Sequence, residues 1–239
     1  MISADALLDE YQDLRQPRGL GGIFYGVYPA VVKGIKDDAG QGRVRVKLPW
    51  SPDGKSGGYE VWARVATFMA GGNRGSWFMP DKEDEVLVAF AGGNPWCPFV
   101  IGMLWNGKDS PPVTMDGAES NDTKKLRSRN GVAITLDDKQ GQEQFVVETP
   151  GGQKITLKDG PGSVEIVDSN GNSVKLESSG ITVNASAKVT ISASIVEISA
   201  GSVTVNAGFS RFNGVIQADT VISTSVISSS YTPGAGNIW

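Results

Sequence analysis

Between residues 154 and 206 the chain repeats one short phrase: two aliphatic residues separated by a single residue, then a few Ser, Asn, Gly or Asp, then the pair again. The pairs are Ile155/Leu157, Val164/Ile166, Val174/Leu176, Ile181/Val183, Val189/Ile191, Val196/Ile198 and Val203/Val205, and their starts lie 9, 10, 7, 8, 7 and 7 residues apart. Alternation over four or five residues predicts a strand with one apolar face, followed by a turn. Strands this short do not stand alone, so the pattern predicts a long β-structure in which many are stacked and each edge is paired. The phrase opens earlier, at Gly131-Val132-Ala133-Ile134-Thr135-Leu136-Asp137. It runs on less regularly past Asn206, through Phe212, Val215/Gln217, Val221 and Val226, to Tyr231-Thr232-Pro233-Gly234-Ala235-Gly236-Asn237-Ile238-Trp239.

Upstream the pattern is also strand after strand, over 26–33, 43–48, 61–67, 85–90 and 99–104. Turn chemistry separates them at Asp37-Asp38-Ala39-Gly40, Ser51-Pro52-Asp53-Gly54 and Gly92-Gly93-Asn94-Pro95. Arg43-Val44-Arg45-Val46-Lys47-Leu48 alternates cleanly, as expected of a strand packed on one face and wet on the other. Five such strands fit a small Greek-key barrel of the oligonucleotide/oligosaccharide-binding (OB) type. Ahead of them, Ala4, Leu7, Leu8, Tyr11 and Leu14 fall at helical spacing, with Ser3 as N-cap and Pro17 and Gly19 beyond the end. This short amphipathic arm packs either on its own domain or on a partner. Residues 109–130, with Pro111 and Pro112, read as a linker.

Composition divides the chain in the same place. Five of its six tryptophans (Trp50, Trp62, Trp77, Trp96, Trp105) precede residue 106, and Trp239 is the sixth. The front part is large enough for a closed core of its own. After Glu177 the only charges are Lys188, Glu197, Arg211 and Asp219, yet β-branched residues abound, which is not a disordered composition. No stretch is long and apolar enough to span a bilayer as a helix. The start lacks a basic region followed by an apolar core, so synthesis in the cytoplasm without a signal peptide is expected.

Candidate chemistry is sparse. There is no histidine to serve as the usual base of a nucleophilic triad, and one cysteine with no histidine does not supply the usual zinc ligands. Cys97, in Pro95-Trp96-Cys97-Pro98, reads as a small buried hydrophobe. Asp81, Glu83, Asp84 and Glu85 could supply paired carboxylates for glycoside hydrolysis, but a solvated turn accounts for them. Gly71-Gly72-Asn73-Arg74-Gly75 lacks the Lys-Ser/Thr ending of a phosphate loop and reads as a hairpin. A formal charge of −4 and one basic run, Lys124, Lys125, Arg127 and Arg129, give no electrostatic reason to expect nucleic acid. An aromatic platform built from Trp50, Trp62, Trp77, Phe78 and Phe90, flanked by Arg43, Arg45 and Arg64, is the lesser reading of the barrel.

The order of motifs in the front domain carries a resemblance. Gly42-Arg43-Val44-Arg45-Val46-Lys47-Leu48-Pro49-Trp50, then Trp62-Ala63-Arg64-Val65, then the run from Pro80 to Phe90, and finally Asn94-Pro95 leading to Phe99-Val100-Ile101-Gly102, resemble the barrel of contractile-tail spike proteins. That family includes phage baseplate protein V, the T4 tail-spike protein and the valine-glycine repeat spikes of type VI secretion. The match covers about 80 residues in the family's order, and a β-repeat follows where the family places its needle.

The resemblance implies an all-β homotrimer: an N-terminal five-stranded OB-fold barrel followed by an intertwined trimeric β-helix, the needle. The expected divisions are an arm at 1–22, barrel at 23–108, linker at 109–130 and needle with tip at 131–239. The repeat itself agrees. A single-chain β-helix needs ~20 or more residues per coil, whereas units of 7 to 10 fit one strand per chain per layer, so three chains complete a coil. At about 4.8 Å per strand and roughly a dozen strands the rod would be on the order of 60 Å long.

Val132, Ile134, Ile155, Leu157, Val164, Ile166, Val174, Leu176, Ile181, Val183, Val189, Ile191, Val203 and Val205 are expected in the trimer core. Tyr231, Pro233, Ile238 and Trp239 are expected at the tip, as a fold-over or as a platform for a PAAR-type capping protein. The resemblance further implies a separate trimeric hub, other baseplate and tube proteins as neighbours, a place in a virion or injection particle, and transient contact with a target envelope. No enzyme activity, cofactor or specific nucleic acid is expected. Two departures stand out: the repeat is not a strict valine-glycine octad, and without histidine the iron-bearing tip of some relatives cannot be carried over. The 22 residues at 109–130 leave no room for an inserted lysozyme domain. The rival readings are a trimeric receptor-binding fibre or adhesin and a polysaccharide lyase on a monomeric β-helix.

Overall fold

A computed structural model describes residues 23–51 and 58–229. The chain divides into two units, at residues 1–188 and 189–239. Among its described residues, the regular structure of the first is β-strand apart from one 3-10 turn at Ala91–Gly93.

Its front part is a sheet that closes on itself. Strands β1 (Val27–Gly34), β2 (Arg43–Leu48), β3 (Tyr59–Val65), β6 (Glu85–Phe90) and β7 (Pro98–Leu104) pair in the closed order β1-β2-β3-β7-β6. All neighbours are antiparallel except β3 and β7. The two-residue strands β4 (Ala70–Gly71) and β5 (Arg74–Gly75) form a separate hairpin, so the glycine-rich run is a turn, as its sequence indicates. The five strand positions expected from alternation are all present, with ends displaced by one or two residues.

Alternation places the core. In β2, Val44, Val46 and Leu48 are buried while Arg43, Arg45 and Lys47 face outward; in β6, Val86, Val88 and Phe90 are buried. Val32, Ala63 and Val100 complete the interior. An aromatic cluster packs on this core. Tyr28 stacks on Trp50 at 4.8 Å between ring centres, Phe24 lies 5.0 Å from Phe90, and the Trp50 indole N–H donates to the Pro29 carbonyl at 3.1 Å. The chain passes tightly at Gly93, whose φ is +81° and where a Cβ would run into Ile23.

The second part of this unit is a seven-stranded antiparallel sheet in chain order: β8 (Thr123–Arg127), β9 (Ala133–Asp137), β10 (Gln144–Glu148), β11 (Lys154–Lys158), β12 (Ser163–Val167), β13 (Ser173–Glu177) and β14 (Gly180–Asn184). The segment expected as a linker therefore already holds a strand, β8, over half of its basic run. Arg129 Nη1 donates to Asp81 Oδ1 at 2.7 Å, tying the β8–β9 turn to the loop that enters β6. Hairpin turns hold the sheet in register. Gly160, with φ +55°, brings its loop so close to the Gly141 carbonyl that any Cβ would collide there.

The repeat was expected to leave one strand per chain in every layer. As far as Asn184 the strands instead find their neighbours within the chain, because hairpin turns between them reverse its direction. The second unit differs: among its described residues there is no strand pairing at all. The expected helical arm, the core of the Ser51-Pro52-Asp53-Gly54 turn, and Tyr231, Pro233, Ile238 and Trp239 lie outside the described residues.

Candidate functional site

The cross-strand register of β8–β14 sorts every side chain onto one of two faces. Leu136, Phe145, Leu157, Val164, Leu176 and Ile181 lie opposite one another in sequence across the sheet. Two residues away along each strand runs a second column: Leu126, Ile134, Val147, Ile155, Ile166, Val174 and Val183. Strand side chains alternate between faces, so both columns share one face. Apart from Lys124, which lies opposite Leu136, that face is apolar; Ile134, Val147 and Val174 are half-buried and its other apolar side chains are exposed, from Val164 at 37% to Ile181 at 71%. A monomeric soluble protein rarely leaves so large an apolar surface uncovered.

The opposite face carries the central column Lys125, Thr135, Val146, Thr156, Glu165, Lys175 and Thr182. Both lysines of the column are paired. Lys125 reaches Glu148 at 3.3 Å and Lys175 reaches Glu177 at 2.5 Å. The Glu177 carboxylate is accordingly held below its ordinary pKa, first by the Lys175 ammonium and then by the Ser179 hydroxyl, and the Lys175 amine is pushed up by the same partner. At the β12–β13 turn the Asp168 carboxylate accepts from the Asn172 side chain at 2.7 Å, from the Asn172 backbone N–H at 2.8 Å and from the Asn170 N–H at 2.9 Å. These donors, the Asn172 side chain foremost, pull its pKa down to about 2. Asn172 in turn accepts from the Ser186 N–H at 2.9 Å, fastening the chain just after the last strand.

All the core residues expected between Ile134 and Val183 fall on the apolar face. Val132 precedes β9, where its N–H is held by the Ser128 hydroxyl, and is 46% exposed. Leu126, Leu136, Phe145 and Val147 share the face and were missed. For three of them the signal was present, since Ile134/Leu136 and Phe145/Val147 are the same apolar pair as later in the chain. Leu126 sits between lysines and an arginine, and only its register against Ile134 reveals its side.

Val189, Ile191, Val203 and Val205 lie in the second unit and are all more than half exposed. The chain there bends at Ser194, Gly201 and Gly208, seven residues apart, then at Gly214, Asp219, Thr224 and Ser229, six and then five apart. Over this course the described backbone makes no ladder within the chain.

The other candidates resolve into structural roles. Asp81 accepts from Arg129, Glu83 pairs with Lys33 at 2.5 Å, Asp84 Oδ2 accepts from the Asp81 N–H, and Glu85 accepts from the Asn106 side chain. The acidic run is thus a turn and its anchors. Arg43 is bound by Asp37, Arg45 lies 3.5 Å from Glu60 and Arg64 lies over Phe99, so the arginines near the barrel aromatics are engaged within the domain. Phe90 is core and Trp50 packs on it, whereas Trp77 and Phe78 stand exposed beyond the β4–β5 hairpin. Lys124 and Arg129 of the basic run also pair with carboxylates, those of Asp138 and Asp81. Cys97 is half-buried rather than buried, with the Asn94 side chain 3.6 Å from its sulfur.

Two family models match the chain. Residues 28–105 match the type VI secretion system/phage-baseplate injector OB domain, and residues 144–209 match the phage baseplate V C-terminal trimerisation domain. Among curated proteins, the chain is similar to the type VI secretion system spike protein VgrG1b of Pseudomonas aeruginosa, 31% identical over 147 residues, which is 57% of this chain and 20% of that relative. VgrG4b of the same organism is 32% identical over 111 residues, 44% of this chain and 14% of the relative. VgrG3 of Vibrio cholerae is 28% identical over 113 residues, 44% and 11% respectively. The chain spans about a fifth or less of the length of these relatives.

Proposed function

This chain belongs to the family of phage baseplate V and VgrG-type spike proteins, and from that premise we propose that it is a structural part of the central spike of a contractile injection baseplate. In this reading three copies assemble through the apolar faces of β8–β14 and continue as an intertwined β-helical needle from Val189 onward. The observation that carries the reading is the pair of uncovered apolar columns, most of which fall within the residues matched by a trimerisation domain.

Three copies suit both features. Packed face to face, the sheets enclose the columns as one core, while Lys125, Glu165 and Lys175 stay toward water. In the second unit, strands from three chains supply each other's hydrogen bonds and leave no lateral edge. Such a rod is stiff, and it unfolds slowly because its chains must separate together. The barrel at 23–108 forms a collar seated on a separate trimeric hub, and the needle base starts at β8. The far end, with Tyr231, Pro233, Ile238 and Trp239, meets a PAAR-type cap. Contraction drives the rod into the target envelope, so the function is mechanical. Both matched domains are structural ones.

Light scattering coupled to size exclusion tests the assembly. The expected mass is three times the 25.2 kDa of the chain, with rods in negative-stain images. A monomer overturns the reading, and so does a compact particle without a rod.

A further inference from the structure

We propose that the barrels join one another head to tail, the β4–β5 hairpin of one copy lying on the outer face of β1, β6 and β7 of the next. The inference rests on the trimeric reading above and names the two surfaces that meet between front domains.

The barrel wall holds two kinds of strand. In β2 the outward residues are Arg43, Arg45 and Lys47, as expected where one face is packed and the other wet. Strands β6 and β7 do not alternate in this way: from Val86 to Phe90 and from Pro98 to Leu104 every residue is apolar, the pattern of strands covered on both faces. Register gives the outer rungs. Val27, Ala89 and Phe99 lie side by side, and Pro29, Leu87 and Gly102 form the next rung. In the rung after that the one charge is Glu85, whose carboxylate accepts from the Asn106 side chain at 2.8 Å. Among the described residues this face stays open. Val27 and Ile101 are exposed, and Leu87, Ala89 and Phe99 are half-buried, Phe99 beneath the Arg64 guanidinium.

A second apolar patch stands on another side of the barrel. Phe68, Met69, Trp77 and Phe78 flank the β4–β5 hairpin and are exposed, from 51% at Met69 to 100% at Phe68. The stem that carries them is fixed. The Ser76 N–H donates to the Met69 carbonyl at 2.8 Å and the Thr67 hydroxyl to the Ser76 carbonyl at 2.6 Å. Gly75, with φ +150°, passes so close to the Met69 carbonyl that a Cβ would collide there. The Trp77 ring lies against Gly42, just before β2, where a Cβ would come within 3.3 Å of it. The hairpin thus leans toward the strand whose outward residues are charged, whereas β6, at the centre of the apolar face, pairs with neither β2 nor β3.

Two separate patches suit a ring of three. In a cyclic trimer each interface joins one patch to a different patch of the next copy, while a single self-complementary patch gives a two-fold dimer. Large aromatic side chains laid on an aliphatic sheet face bury much area at each joint. The partner is a second copy because of where the barrel is held. Arg129 and Asp81 tie it to the β8–β14 sheet, most of which lies in the residues matched by a trimerisation domain. Three such sheets brought together keep three barrels at high effective concentration.

The test is photo-crosslinking of the full-length protein carrying Phe78→p-benzoyl-phenylalanine, with native mass measured in parallel for it and for the wild type. The expected result is a trimer whose chains become joined between copies on irradiation, the new bond mapping by mass spectrometry to β1, β6 or β7. That crosslink should be lost when Leu87→Ser and Ile101→Ser are added. A trimer that crosslinks to another part of its neighbour, or not between copies at all, as when the patch serves a different protein, overturns the contact and leaves the spike reading standing. A crosslink that survives both serines does the same. A monomeric wild type overturns both readings. A variant that loses the trimer while the wild type keeps it overturns the contact too, since the sheets and not this joint hold the assembly.

Discussion

Glu165 lies directly opposite Lys175 across the β12–β13 pair, while their neighbours Val164 and Leu176, one residue along, lie opposite each other on the reverse face. The sheet's two surfaces are thus distinguished at a single rung. Replacement of Val174 or Val189 by Asp should abolish trimerisation, since each introduces three unpaired charges into one enclosed core. Glu165→Gln should leave the trimer intact and change stability by less than about 1 kcal/mol. Sedimentation or light scattering at equal concentration separates the outcomes; a trimeric Val174→Asp protein would reverse the face assignment.

Resistance to heat and detergent should reside in the second unit. A chain ending at Lys188 keeps the closed barrel and the intrachain sheet, whose ladders are complete within unit 1, but loses the segment that the trimeric proposal assigns to pairing between chains. Its assembly should dissociate in SDS at room temperature while the full chain does not. Gel migration without boiling reads this directly.

The barrel core should act independently of assembly. Leu48 is fully buried, and Leu48→Ala should cost about 2–5 kcal/mol of barrel stability through lost burial and the cavity left behind. Native oligomeric mass should not change. Denaturant unfolding followed by tryptophan emission, to which Trp50 on the same core contributes, measures the cost.

Acid should loosen two turns. The Arg43 guanidinium holds the Asp37 carboxyl well below the usual carboxylate range, and the Asn172 side chain heads the donors that bring Asp168 down to about 2. A carboxyl whose folded pKa is depressed contributes stability that is fully present above its unfolded value, near 3.8, and is lost as pH falls through the folded value. Stability should therefore decline as pH is lowered from about 4 toward 2, and Asp168→Asn should flatten part of that decline. Thermal melts at several pH values check the slope.

Arg129 and Asp81 should couple weakly. Their side chains are 73% and 43% exposed, so a double-mutant cycle should give about 0.2–1 kcal/mol, diminishing in 1 M salt. A coupling of several kcal/mol would mean that the assembly buries this pair.

Much of the barrel was legible from alternation because strands β2 and β6 each bury every second residue, a pattern with no helical counterpart. The apolar face of the second sheet was legible for the same reason from Ile134 to Val183. Leu126 was not, since its neighbours Lys124, Lys125 and Arg127 mask the alternation and its face follows only from pairing with Ile134. Nor was the exposure of Trp77 and Phe78. Aromatic character suggests burial, and only the hairpin that carries the chain away from the core puts them outside.

By itself the sequence determined the strands of the front sheet, of β9 and of β11–β14, and which of their residues share a face, because those properties depend on side-chain period and local turn chemistry. Only the tertiary structure decided where pairing within the chain stops. Hairpin reversal needs residues that accept positive φ, such as Gly141, Gly152, Gly160, Gly171 and Gly180. Among the described residues between Gly180 and Gly214 none adopts it, so the same apolar phrase that folds back on itself before Asn184 runs on unpaired after Lys188.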